Sequence, residues 1–201
     1  MPFRLAALLL GGALAAEGIG YLWHRSACHA GIFRHFFNDL LRRRHFDHHT
    51  NKYAGAGLRH DTYSPSCDIA FRVLGIISVA LIITLTAVGW IQPSTTITII
   101  SGTIVQGFFG TKLHALYHVS DKSSRRLPVL SWGPVWRVFS WLRDFHDVHH
   151  LANANYSLML PLFDLVGGTY ISPRELPRLQ EENLFPRFDP RLSSSCNTPL
   201  F

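Results

Sequence analysis

The chain has 201 residues, a length that suits one domain. It is 47% hydrophobic and only 16% charged, an apolar balance for a soluble protein of this size, and its net charge is +6. Three cysteines, Cys28, Cys67 and Cys196, cannot all pair within the chain and show no C-x-x-C spacing, so they read as reduced thiols suited to a cytosolic-facing site.

Residues 5–23 are apolar except for Glu17. The run is about long enough to cross a hydrocarbon core roughly 30 Å thick. A signal peptide is the competing reading, with Arg4 as its basic start and Ala13-Leu14-Ala15 as a small-residue cleavage site. Against it, the apolar run continues into Trp23-His24-Arg25. Glu17 is costly in lipid, so it is expected to face the protein interior or a polar cavity. Residues 24–72 are polar and basic, and Asp61-Thr62-Tyr63-Ser64-Pro65-Ser66 is turn chemistry that ends any helix before it. Residues 73–91 carry no charge and form the clearest spanning helix. After the break Gln92-Pro93-Ser94, residues 95–110 are again uncharged but richer in Thr and Gly. A buried β-branched strand competes there. A helix is preferred because lipid-exposed backbone must satisfy its own hydrogen bonds. The two segments read as a tight membrane hairpin. Residues 128–142 are too short and broken to span, and Trp132, Trp136 and Trp141 mark them as interfacial. The tail from Ile171 reads as a mostly irregular cytosolic arm.

Eight Lys/Arg lie in 24–72, none in 92–94, and ten follow Gly110. The positive-inside rule makes both basic regions cytoplasmic and puts the hairpin turn and the N-terminus on the far side. The expected fold is all-α and a single domain over 1–201. It has about three spans, a cytosolic helical cap over 24–72 and 111–170, and a C-terminal arm over 171–201.

Histidine dominates the cap. Ten of twelve histidines fall in four clusters: His24 and His29 (H-x4-H), His45, His48 and His49 (H-x-x-H-H), His114 and His118 (H-x3-H), and His146, His149 and His150 (H-x-x-H-H again). On a helix, i, i+3 and i+4 share a face, so each H-x-x-H-H run is expected to aim three imidazoles at one point. Neutral imidazole is the commonest metal ligand, and the positive-inside topology brings all four clusters to one side. Ten imidazoles exceed what two tetrahedral zincs need, whereas sites with five or six positions fit, and imidazole suits iron. Five residues turn a regular helix about 140° off its starting face. Hence either the helix breaks between His24 and His29 or the two serve different metals. Asp47 and Asp147 are candidates to orient imidazoles or to be ordinary solvated carboxylates. His35 and His60 read as surface residues, and Cys28 as a packed small residue beside the site. The halves of the chain are weakly alike: an imidazole pair, H-x-x-H-H, Tyr-Ser, then Asp.

These four histidine boxes in order, His24-Arg25 opening the first, resemble those of the fatty acid hydroxylase and sterol desaturase superfamily. The stretch from Asn155-Tyr156 through Pro161-Leu162-Phe163-Asp164 to Gly168-Thr169-Tyr170 resembles the segment after that family's last box. The resemblance covers about residues 17–170, with one apolar segment before the first box where many relatives have two or more; a homo-oligomer would complete the membrane part. It implies an integral-membrane enzyme whose di-iron centre uses O2 and two external electrons to attack an unactivated C–H bond of a lipid or other apolar substrate. Hydroxylation is the first expectation. Desaturation or another outcome of the same chemistry is the second, and a non-enzymatic membrane metal-binding protein the third. No nicotinamide or flavin motif is visible, so the electrons are expected from a separate carrier, a ferredoxin or a cytochrome b5-like protein, and nothing points to nucleic acid.

Overall fold

The computed structural model describes residues 2–30, 45, 48, 49, 69–157 and 159–182. Regular structure among them is helical: α1 (Pro2–Trp23), a π-helical turn (His24–His29), α2 (Ile69–Ala87), α3 (Pro93–Tyr117), α4 (Asp121–Ser124), α5 (Pro128–Ser131), α6 (Gly133–Leu151), α7 (Leu162–Gly167), a 3-10 turn (Pro173–Glu175) and α8 (Leu176–Glu182). The three expected apolar segments fall on α1, α2 and α3. Among the described residues, no helix is long and apolar enough to cross a membrane.

Residues 95–110 are helix, not strand, despite their β-branched content. Threonine tolerates a helix when its hydroxyl bonds back to the preceding turn. Thr98 donates to the Ser94 carbonyl at 3.0 Å and Thr103 to the Ile99 carbonyl at 2.9 Å. The hairpin turn begins earlier than the Gln92-Pro93-Ser94 break, because α2 stops at Ala87 and Gly89 takes a positive φ of 80°. Pro93 then starts α3 with its φ already helical. α3 runs on past Gly110 to Tyr117, which puts His114 in its last turn.

α1 and α3 cross with almost no side chain between them. A Cβ placed on Gly102 would lie 2.7 Å from the Ala13 nitrogen and from the Gly12 carbonyl carbon. Gly12 faces Gly102, and five residues on Glu17 accepts from Gln106, so the two helices run parallel. Both C-terminal ends, and the histidines they carry, therefore emerge side by side. Glu17 is buried, as expected for an acid in an apolar helix; it also accepts from the backbone N–H groups of Met159 (2.8 Å) and Leu160 (3.3 Å).

The expected broken segment 128–142 is two helices, and α6 continues unbroken to Leu151. Tyr117, Leu130 and Phe139 form its core with α3, while Trp132 and Trp141 stay exposed. Asp121 pairs with Arg143, and the Arg125 guanidinium stacks 3.9 Å over the Trp136 ring. The start of the arm expected to be mostly irregular is helical. α8 buries Leu179 against Val148 and Leu151 of α6, because Leu176 and Leu179 lie one turn apart on one face. The expectations for residues 31–44, 50–68 and 183–201, with Asp47, His35, His60, Cys67 and Cys196, fall outside the described residues.

Candidate metal centre

The His24–His29 pair resolves the H-x4-H spacing in a way neither expectation foresaw. The helix does not break; it widens. The Ala30 N–H donates to the Arg25 carbonyl at 2.9 Å, an i→i+5 bond, and residues 24–29 form a π-helical turn. A π turn sets residues five apart above one another, which a regular turn does not. The two imidazole centroids come to 5.1 Å. At the end of α3, His114 and His118 are 5.2 Å apart.

All ten box histidines meet in one region, sorted into two neighbouring groups. His24, His29, His45, His49 and His149 each bring one ring nitrogen into the first. His48, His114, His118 and His146 make the second. His150 adjoins it, its Nε2 3.0 Å from that of His146. This corrects the expectation that each H-x-x-H-H run converges on one point. Each run splits: His45 with His49 enters the first group and His48 the second, while His146 with His150 sides with the second and His149 enters the first. The groups touch where the rings of His49 and His150 lie 4.3 Å apart.

The nitrogens face each other too closely for rings that share only protons. His45 Nε2 lies 3.0 Å from His24 Nε2, 2.8 Å from His29 Nε2 and 3.0 Å from His49 Nε2. A neutral imidazole carries one N–H. The Nδ1–H of His24 donates to the Tyr156 carbonyl at 2.7 Å, so its Nε2 presents a lone pair. The Nδ1–H of His149 likewise donates to the Ala154 carbonyl at 2.7 Å. Its Nε2 is buried with no hydrogen-bond partner among the described residues. Lone pairs converging at this spacing repel unless a cation lies between them, and the donor set therefore fits a metal. Burial keeps the rings neutral, as ligation requires. It holds His24, His45, His48, His49 and His146 well below the ordinary histidine value, and neighbouring imidazoles add to the effect. Burial outweighs the carbonyl bond at His149 and lowers it to about 4.

The loop after α6 supports the first group. Asn155 adopts a positive φ of 53°, tolerable for asparagine, and spans the loop. Its amide donates to the carbonyls of Phe145 (3.1 Å) and Ile171 (2.9 Å) and accepts from the Ile171 N–H (2.8 Å). Asp164 is fully buried and accepts from the N–H groups of Tyr156 (2.7 Å) and Ser157 (2.9 Å) and from the Thr169 hydroxyl (2.8 Å). Tyr21 closes the far side, its hydroxyl 3.1 Å from Thr169 Oγ1. These roles went unread in the sequence, since the atoms that meet the histidines are backbone carbonyls. Asp147 is buried in α6, and Cys28 is fully buried.

A family model described as fatty acid hydroxylase matches residues 9–169, a span that holds all ten box histidines and ends at Thr169. No curated protein and no solved structure matches the chain.

Proposed function

Because the chain belongs to the fatty acid hydroxylase family, we propose that it is a membrane-bound di-iron monooxygenase that hydroxylates an unactivated C–H bond of a lipid or similar apolar substrate. The observation that carries the proposal is the pair of adjoining imidazole groups. With metal–nitrogen bonds of about 2.1 Å, ligands at right angles lie ~3.0 Å apart and tetrahedral ligands ~3.4 Å apart. The shortest nitrogen separations here, 2.8 to 3.1 Å, match the first spacing, and the nitrogens of each group all lie within 4.8 Å of one another. They favour sites with six positions over tetrahedral zinc, and imidazole suits iron. Five imidazoles on one centre leave a position open.

When bound, the iron pair supplies the reduction of O2, in which one oxygen atom enters the C–H bond as a hydroxyl and the other leaves as water, at the expense of two electrons and two protons. The chain's own residues do the rest. His24, His29, His45, His49 and His149 hold one metal, and His48, His114, His118, His146 and His150 the other. The Ala154 and Tyr156 carbonyls keep protons on Nδ1 and leave Nε2 free to ligate. Burial of the rings keeps bulk water from the centre.

Support for the membrane lies in what the helices turn outward. Ile76, Leu81 and Ile83 of α2 and Ile97, Ile104, Val105, Phe108 and Phe109 of α3 are exposed. So many large apolar side chains exposed on two helices call for lipid or protein cover. Trp132 and Trp141 suit headgroup level. The site then lies at the cytoplasmic ends of α1 and α3, within reach of an acyl chain. The electron carrier is a separate protein, and Lys122, Arg125, Arg126 and Arg137, exposed on α4 to α6, offer an acidic one a basic face.

The test is metal analysis of protein purified in mild detergent, then oxygen uptake with reductant and candidate lipids. The expected result is iron, uptake that needs both substrate and reductant, and a product that gains one oxygen atom. Loss of two hydrogen atoms instead identifies a desaturase. Zinc alone, with no turnover after iron loading, identifies a non-enzymatic metal-binding protein.

A further inference from the structure

We infer that Asn155 and Asp164 are positioning residues that hold one loop so that its carbonyls fix the donor faces of His24 and His149, making the post-α6 loop a selective support for the first metal. The inference rests on the metal reading above.

His24 follows α1 and His149 ends α6, yet both hand their Nδ1 proton to carbonyls two residues apart, those of Tyr156 and Ala154. Asn155 sits between those carbonyls. Its left-handed backbone sets their directions, and its amide anchors the turn to α6 through Phe145 and to the outgoing chain through Ile171. Its own N–H donates to the Thr169 carbonyl at 3.0 Å. Asp164 holds the other side through the N–H groups of Tyr156 and Ser157, and Thr169 supplies a third donor. Only a carboxylate accepts from all three without turning a donor inward; an amide at position 164 must face one N–H with its own.

The chemical consequence falls on the two histidines. An imidazole whose Nδ1–H is held by a carbonyl has the tautomer that ligates through Nε2. Released, the ring is free to move its proton to Nε2 and present N–H where a lone pair is needed. Both affected histidines belong to the first group of imidazoles. Disturbing the loop therefore acts on one metal position and spares the other.

The experiment uses the full chain in detergent, loaded with ferrous iron without oxygen and challenged with a chelator. Iron per chain and its rate of loss are read by elemental analysis, and melting is followed in parallel. Wild type is expected to hold two irons. In Asp164→Asn, one of the two is expected to leave ~10–100-fold faster, the effect typical of lost support around a metal ligand, while the other keeps the wild-type rate. Asn155→Asp turns a carboxylate oxygen toward the Phe145 and Ile171 carbonyls and is expected to do the same. Thr169→Val removes one donor from Asp164 and is expected to show a smaller change at the same single position, which serves if the other variants do not fold. Unchanged rates at both irons overturn the inference, as does an equal rise at both, which is the mark of a general structural role. Wild type that takes up no iron overturns the metal reading itself, and this inference with it.

Discussion

Alanine at two glycines of α3 tests whether the parallel α1–α3 crossing is what brings the histidine pairs together. At Gly102, the new Cβ would sit 2.7 Å from the Gly12 carbonyl carbon and the Ala13 nitrogen, and 2.9 Å from the Gly12 Cα, all of them backbone. Carbon atoms pack at about 3.5–4.0 Å. Since backbone cannot rotate away as a side chain can, the helices must part by roughly 1 Å. Overpacking of this kind costs about 1–3 kcal/mol. At Gly107, on the exposed side of the same helix, a Cβ meets nothing within 4 Å. There alanine only relieves glycine's backbone entropy, a gain of about 0.5–1 kcal/mol. That gain is common to both positions, so the same substitution five residues apart is expected to differ by the overpacking alone, about 1–3 kcal/mol. Gly12→Ala falls between, because its nearest atom, the Thr98 carbonyl oxygen, is 3.1 Å away. The assay is denaturant unfolding in one mild detergent, with iron content measured on the folded fraction. Only Gly102→Ala is expected to lower that content, since it alone drives the ends of α1 and α3 apart. Gly102→Ala as stable as Gly107→Ala refutes the crossing.

His48→Ala and His149→Ala are each expected to abolish turnover, and chelator kinetics should show that they empty opposite iron positions; near-wild-type oxygen uptake in either counts against the ligand sets. In metal-free protein, buried histidines held below their ordinary value leave the folded state with fewer protons than the unfolded state, so stability falls on acidification below about pH 6.5. His149, lowered to about 4, contributes about 3 kcal/mol of that loss by the time pH reaches its folded value, and unfolding midpoints at pH 7 and pH 4 measure it. Glu17→Leu strips the acceptor from the Met159 and Leu160 N–H groups and should cost about 1–3 kcal/mol. Glu17→Gln should be milder, since the Gln106 amide flips to pair with it, and melting curves rank the two. Cys28 is fully buried and its thiol is pushed up to about 12; its peptide should resist maleimide until the protein is denatured, as mass spectrometry reads out.

The helices were legible because apolar runs of helical length leave few other choices for the backbone. The burial of Glu17 was legible for the same reason: a carboxylate in an apolar run needs donors, and Gln106, Met159 and Leu160 supply them. The π turn was not. His24-Arg25-Ser26-Ala27-Cys28-His29 has no residue that forces one extra residue into the turn. The loop that supports His24 and His149 was visible only as the resemblance of Asn155, Asp164 and Thr169 to a family segment, because carbonyl groups carry no sequence signature. α8 was missed because two apolar residues among prolines and charges look like coil until α6 is there to cover Leu179.

The splitting of the H-x-x-H-H runs, by contrast, follows from arithmetic available in the sequence. At 3.6 residues per turn, i+4 lies about 40° to one side of i and i+3 about 60° to the other. The first and third histidines of each run can therefore share a metal, while the middle one points some 100° away from the third. A single run cannot close around one ion, but two runs facing each other can: each lends its middle histidine to the other's pair. His48 joins the side of His146 and His150, and His149 joins His45 and His49. His24 with His29, and His114 with His118, then complete five imidazoles on each side, which is the physical content of the weak likeness between the two halves of the chain. The exchange also explains why the groups must touch. Two imidazole groups that draw on adjacent residues, His48 beside His49 and His149 beside His150, have to lie side by side.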